Sequence, residues 1–263
     1  MLFRSNVFSS LSAGTYTIKV KDANNCTASA SVTITAPSAI SVSTSKASYN
    51  GSDLSCSTST DGQITVTASG GTGTLQYSKD NGTTYQASNV FSSLSAGTYS
   101  IKVKDANNCT ASASVTITAP SAISVSTSKA SYNGSDLSCA TTTDGQITVT
   151  ASGGTGTLQY SKDNGTTYQA SNVFSSLSAG TYTIKVKDAN NCTASASVTI
   201  TAPSAISVST SKASYNGSDL SCSTSTDGQI TVTASGGTGT LQYSKDNGTT
   251  YQASNVFSSL SAG

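Results

Sequence analysis

The chain has no histidine and no tryptophan, and its acidic residues are all aspartate, so glutamate is missing as well. Those absences remove the Ser–His and Cys–His nucleophile systems and every paired-glutamate site at once. Charge is also scarce: Lys and Arg number 13 against 12 Asp, for a net charge of +1. A neutral chain with scattered lysines lacks the basic footprint by which proteins hold nucleic acid. No stretch approaches the roughly 20 consecutive apolar residues of a membrane-spanning helix. What remains is rich in Ser, Thr, Gly and Asn, with Val and Ile on alternate residues, a composition of strands and turns rather than of disorder.

Repetition dominates what is there. Cys26, Cys109 and Cys192 recur every 83 residues, as do Cys56, Cys139 and Cys222, and Pro37, Pro120 and Pro203. A period of this length is the size of a small independent domain, so the pattern implies a tandem array rather than a solenoid. With proline as the boundary, complete repeats run over 38–120 and 121–203. Residues 5–37 are the C-terminal part of a truncated repeat and 204–263 the N-terminal part of another. Met1–Arg4 replace Thr84–Ala87 of the repeat and hold the only Met and Arg, which marks residues 1–4 as a non-native scar resembling translated adapter DNA. A signal peptide does not fit this end, because Asn6–Gly14 recurs inside the repeats. The export signal is expected to lie outside the fragment.

Within one repeat, Ile40–Ser43 alternates apolar and polar residues, and Ile64, Val66 and Ala68 share one face of a second strand. Leu75–Tyr77, the Tyr85 region, Tyr99–Val103 and Ala111–Thr118 carry the pattern on, for roughly seven short strands in all. Asn50-Gly51, Lys79–Gly82 and Asp105–Asn108 supply turns that tolerate positive φ. The expected fold is all-β: tandem Ig-like antiparallel β-sandwich domains in an extended array. The stretch Phe91–Tyr99 reads as the crossing between two sheets. Phe91 and Leu94 plug the core, Gly97 permits the crossing, and the Tyr99 hydroxyl bonds back to the crossing backbone as a tyrosine corner.

Two cysteines per repeat without a C-x-x-C pair point to disulfides rather than zinc. The favoured pairs are Cys56 with Cys109 and Cys139 with Cys192, each closing a loop worth about 4 kcal/mol of chain entropy. The pairing requires the segment from Ser45 to Cys56 to climb back toward the last hairpin. The rival pairing, Cys26 with Cys56 and onward, staples neighbouring repeats. No cofactor is expected. Calcium is the one candidate metal, at Asp105, Asn107 and Asp61, because hard oxygen ligands in loops suit it, although the same residues are ordinary turn formers. Ser43–Lys46 spells S-x-x-K but ends a strand instead of opening a helix. Without glutamate a self-formed Lys–Asn isopeptide bond is not expected, and Thr-x-Thr runs such as Thr65–Thr67 are strand formers on twisted sheets rather than ice-binding ladders.

Cys56, Asp61-Gly62-Gln63-Ile64, Gly70-Gly71, Tyr77, Leu94-x-Ala96-Gly97-x-Tyr99, Val103-x-Asp105 and Cys109, in this order, resemble the SprB-type repeats. Asn108 departs from the Gly that often precedes the cysteine. The resemblance implies a very large bacterial cell-surface adhesin associated with gliding motility and type IX secretion, exported and extracellular. The expected role is non-enzymatic: a structural shaft that displays a distal binding region. The alternative is a repeated low-affinity module for carbohydrate or protein, acting by multivalency. Expected partners are the neighbouring repeats, surface glycans or proteins, and a second copy joined head to tail through the truncated ends; nucleic acid and a membrane span are not expected.

Overall fold

The computed structural model describes residues 6–263, so the scar assigned to residues 1–4 lies outside the described residues. The chain divides after Ala119 into two compact units. The first begins with a two-stranded hairpin, β1 (Gly14–Lys21) and β2 (Thr27–Ile34), paired antiparallel over their whole length. A six-stranded repeat follows: β3 (Ser41–Lys46), β4 (Gly62–Ser69), β5 (Gln76–Ser78), β6 (Val90–Leu94), β7 (Gly97–Lys104) and β8 (Thr110–Ile117). Its strands form two antiparallel sheets of order β3-β4-β6 and β5-β7-β8. The second unit repeats this over β9 (Ser124–Lys129), β10 (Gly145–Ser152), β11 (Gln159–Ser161), β12 (Val173–Leu177), β13 (Gly180–Lys187) and β14 (Thr193–Ile200). It then adds one more sheet, β15 (Ser207–Lys212), β16 (Gly228–Ser235) and β17 (Val256–Leu260), in the order β15-β16-β17.

The period-2 patterns produce this sandwich directly. On β4, Ile64 and Val66 are fully buried while Thr67 faces out; on β7, Ile101 and Val103 are buried while Thr98 and Ser100 face out. Alternate side chains of a strand must point to opposite faces, so the apolar set of each sheet meets the other in one core. That core contains Leu54, Ile64, Val66, Phe91, Leu94, Ile101, Val103 and Ile117, with the same positions repeated from Leu137 to Ile200. The chain is all-β and antiparallel, in two-sheet sandwiches of immunoglobulin-like class. Each complete repeat holds six strands rather than about seven, because the Tyr85 region contributes only the Tyr77–Gln86 bridge.

The expected disulfides are a correction. Cys109 and Cys139 are exposed free thiols, so neither Cys56–Cys109 nor Cys139–Cys192 is formed; Cys56 and Cys192 are half-cystines. The physical reason is the course of the loop after β3. Leu54 is a core residue, and the Asp53 carboxylate accepts from the Thr118 amide at 2.8 Å, which ties the loop to the end of β8. Cys109 precedes the start of β8. The strand between them puts the two ends roughly 30 Å apart, far beyond the ~7 Å reach of a disulfide. The climb toward the last hairpin does not occur. Thiol titration of the native, unreduced chain should count four free groups, Cys26, Cys109, Cys139 and Cys222; a count of two would restore the expected pairing.

Candidate functional site

The chemistry-bearing residues of each repeat gather at its two ends and at the crossing between sheets. At the crossing, Phe91 and Leu94 lie buried on β6 and Tyr99 stands on β7, so Ser95 and Ala96 carry the chain from one sheet to the other. The Tyr99 hydroxyl donates to the Ser95 carbonyl at 3.0 Å, and Tyr182 does the same to Ser178. The same bond closes in the β1–β2 hairpin, from Tyr16 to Ser12 at 2.8 Å. The backbone strain sits at Ser93, with φ +57, where β6 carries one extra residue opposite β4. Gly97, at φ +157, has nothing within 4 Å of a Cβ placed on it, so space does not demand glycine there. Replacing Tyr99 with Phe removes one net hydrogen bond and should cost about 1 kcal/mol, read as a small shift in the melting of that repeat. An unchanged midpoint would remove the corner from the account.

At the hairpin end, Asp105 is only 3% exposed. One carboxylate oxygen accepts from the amides of Asn107 at 2.9 Å and Cys109 at 2.8 Å; the other accepts from the Thr72 amide at 2.9 Å. The Ala106 amide completes the fastening by donating to the Thr72 carbonyl at 3.0 Å. The β7–β8 turn is thus bolted to the Gly70–Gly73 loop. Burial works to raise the Asp105 pKa, but the amides of Thr72, Cys109 and Asn107 outweigh it and hold the carboxyl below its ordinary value. Asp80 is also held below the ordinary carboxylate range, first by the Ser78 hydroxyl and then by the hydroxyl and amide of Thr84. Ser78 itself is fully buried, and its Oγ accepts from the Gly82 amide at 2.8 Å while donating to Asp80 at 2.6 Å.

Carboxyls with folded pKa values below their unfolded ones stabilise the fold above the unfolded pKa, and that contribution is lost as pH falls through the folded pKa. Melting temperature should therefore stay flat from about pH 7 to pH 5 and drop below about pH 4, where free aspartate begins to protonate. Stability that rises on acidification through this range would contradict the assignment.

At the opposite end, Lys46 pairs with Asp53 at 2.6 Å and donates to the Thr116 carbonyl at 3.0 Å. Asp53 also accepts from the amide and hydroxyl of Thr118. Burial works to raise the Asp53 pKa, and the bonds from Lys46 and Thr118 outweigh it, leaving it lowered. Asp61 accepts from the Ser59 hydroxyl at 2.7 Å and the Ser55 amide at 3.2 Å.

These placements bear on calcium. Asp61 belongs to the loop at the Asp53 end, and Asp105 and Asn107 to the far hairpin, so the three candidates are not brought together. Among the described residues no group of three or more His, Cys, Asp or Glu converges as a metal site would. The carboxylates serve as acceptors for their own loops, which is the turn chemistry their spacing also permits. Leu54, Ser78 and Ser93 are structural residues whose roles sequence pattern alone did not single out.

Outward tyrosines would be the obvious platform for a stacking ligand. Tyr77 and Tyr85 are half-buried, and the Lys104 ammonium lies 4.3 Å from the Tyr85 ring centre. Among the described residues no helix is long and apolar enough to cross a membrane.

Comparison with known proteins places the SprB repeat family on residues 48–84, 131–167 and 214–250. In the two complete repeats the match runs from the loop before the second strand to the turn after the third; in 204–263 it spans β16 and ends before β17. No curated protein matches the chain. Solved structures with likeness include the C-terminal 282-residue fragment of intimin in complex with the translocated intimin receptor's intimin-binding domain. It is 15% identical, covers 66% of this chain and 67% of that one, and has a TM-score of 0.31. The fibronectin(III)-like modules of Clostridium thermocellum CbhA are 14% identical over 55% of this chain and 86% of theirs, at 0.26. The protocadherin GammaB4 extracellular domain is 11% identical over 97% of this chain and 55% of its own, at 0.28. With scores this low, the fold class rests on the strand topology described above.

Proposed function

We propose, from the premise that this chain is an array of SprB repeats, that it is a non-enzymatic structural shaft of a repetitive bacterial cell-surface adhesin or filament, exported and displaying a distal binding region. The observation that carries the reading is where the polar side chains go. In each complete repeat the aspartates are spent on fastening loops to strands at both ends of the sandwich. A module selected for load-bearing needs closed ends; a catalytic or ligand-binding module needs unspent polar groups.

The competing reading is a weak, multivalent binding module with Tyr85 or Tyr77 as its platform. The Lys104 ammonium over the Tyr85 ring argues against it, since one stacking face is engaged within the repeat. Glycan-array probing of the chain should be silent. Saturable binding that disappears in a Tyr85→Ala, Tyr168→Ala variant would favour the binding module instead.

A further inference from the structure

We infer that Asn50, and with it Asn133 and Asn216, is a site of spontaneous deamidation, a covalent change that accumulates in the folded chain and converts the tip of one turn per repeat to aspartate and isoaspartate. The inference rests on six Asn-Gly pairs that the fold sorts into two kinds. The first kind is Asn50-Gly51, Asn133-Gly134 and Asn216-Gly217; the second is Asn81-Gly82, Asn164-Gly165 and Asn247-Gly248. Backbone shape does not separate them: φ is +49 and +89 at Asn50 and Gly51, and +59 and +92 at Asn81 and Gly82. The asparagines of both kinds are exposed. What separates them is the glycine amide, which is the reacting nitrogen.

In the second kind that amide is taken. Gly82 donates to the Ser78 Oγ at 2.8 Å, Gly165 to the Ser161 Oγ at 2.7 Å and Gly248 to the Ser244 Oγ at 2.8 Å. The Asn81 amide is held as well, by the Ser100 carbonyl at 2.9 Å, and a Cβ built on Gly82 stands 2.8 Å from the Tyr85 hydroxyl, so this turn is also crowded. The first kind is open. Tyr49 and Ser52 close its turn with two backbone bonds, at 2.7 and 3.0 Å, in a hairpin of type I′. The Gly51, Gly134 and Gly217 amides have no acceptor among the described residues, and nothing lies within 4 Å of a Cβ built on any of the three.

The Gly51 nitrogen attacks the side-chain carbonyl carbon of Asn50. The N–Cγ bond forms, the Cγ–Nδ2 bond breaks, and the proton of the glycine amide leaves with the side-chain nitrogen as ammonia. Water then opens the cyclic imide at either carbonyl, giving aspartate or, with the backbone routed through the side chain, isoaspartate. An amide that donates to a hydroxyl must first break that bond to react, so the second kind carries a barrier that the first does not. The products alter the repeat in charge and in shape. Lys46, Lys79, Lys102 and Lys104 balance Asp53, Asp61, Asp80 and Asp105, so each event gives a neutral repeat a net negative charge. Isoaspartate also lengthens the turn backbone next to Tyr49, whose hydroxyl donates to the Asp61 carbonyl at 2.9 Å and ties the turn to the end of the Cys56 loop. The extent of the change therefore records the age of the folded chain.

The test is to age the folded full chain in mildly alkaline buffer, digest it, and follow each Asn-Gly peptide by mass and chromatography; Ala140 marks the Asn133 peptide. Asn50, Asn133 and Asn216 should convert at least about tenfold faster than Asn81, Asn164 and Asn247, and in urea the difference should vanish. Ser78→Ala frees the Gly82 amide and should raise Asn81 toward the Asn50 rate, while Asn164, beside an intact Ser161, stays slow. If the first repeat of that variant does not fold, the comparison of folded and urea-treated wild-type chain decides by itself. Equal rates for the two kinds in the folded chain overturn the proposal. So does an Asn50 kind that stays unconverted while the urea-treated chain reacts, or an Asn81 rate unmoved by the loss of Ser78 in a folded variant.

Discussion

Replacing Gly70 with alanine should destabilise its repeat by at least about 3 kcal/mol. Gly70 follows β4 at φ +83, where an L side chain is strained, and a Cβ built there stands 2.2 Å from the Ala39 carbonyl oxygen and 3.3 Å from the Ser38 carbonyl oxygen. Both neighbours are backbone and cannot rotate away. The approach is needed because the Gly71 amide donates to the Ser38 carbonyl at 2.8 Å, which holds the entering chain against the loop that receives Asp105. Gly51 provides the control: its φ is +89 but nothing lies within 4 Å of its Cβ position, so Gly51→Ala should carry only the left-handed penalty, about 1 kcal/mol. Calorimetry would separate the two. Gly70→Ala should split one transition away to lower temperature and leave the second complete repeat in place. Equal effects from the two substitutions would refute the role given to close approach.

Asp105→Ala is the second large effect. The substitution leaves the amides of Thr72, Asn107 and Cys109 without the buried carboxylate that accepts from all three. Three bonds to a charged acceptor are lost together, so the melting midpoint of that repeat should fall by on the order of 10 °C. Asp105→Asn keeps one oxygen and should retain part of the stability. Hydrogen exchange at the Thr72 amide provides a readout specific to this contact: protection should vanish in the alanine variant. Protection that survives would mean that the loop is held by the Ala106–Thr72 backbone bond alone.

Much of this fold was legible because its strands obey strict alternation. Ile64 and Val66, then Ile101 and Val103, fall on the buried faces that period 2 assigns them, and Asn81 and Asn108 take the positive φ that their turns require. What was not legible depends on contacts between distant residues. Leu54 is a lone apolar residue in a polar segment, and nothing local shows that it plugs the core beneath Gly62. Asp53 looks like any turn aspartate until the Thr118 amide is found 2.8 Å away, and that bond decides which end of the sandwich receives the Cys56 loop. The disulfide expectation failed there. A repeat of fixed period makes intra-repeat and inter-repeat pairings recur equally regularly, so the cysteine pattern by itself has no power to choose between them.

The same identity of repeats that hides connectivity makes the shaft reading testable by increment. Small-angle scattering on a series of chains with one, two and three complete repeats should show the maximum dimension growing by a constant step of about 30 Å per repeat, set by strands of up to 8 residues and the loops that close them. A maximum dimension that grows only as a compact globule's does, with successive repeats folding back on one another, would contradict the shaft.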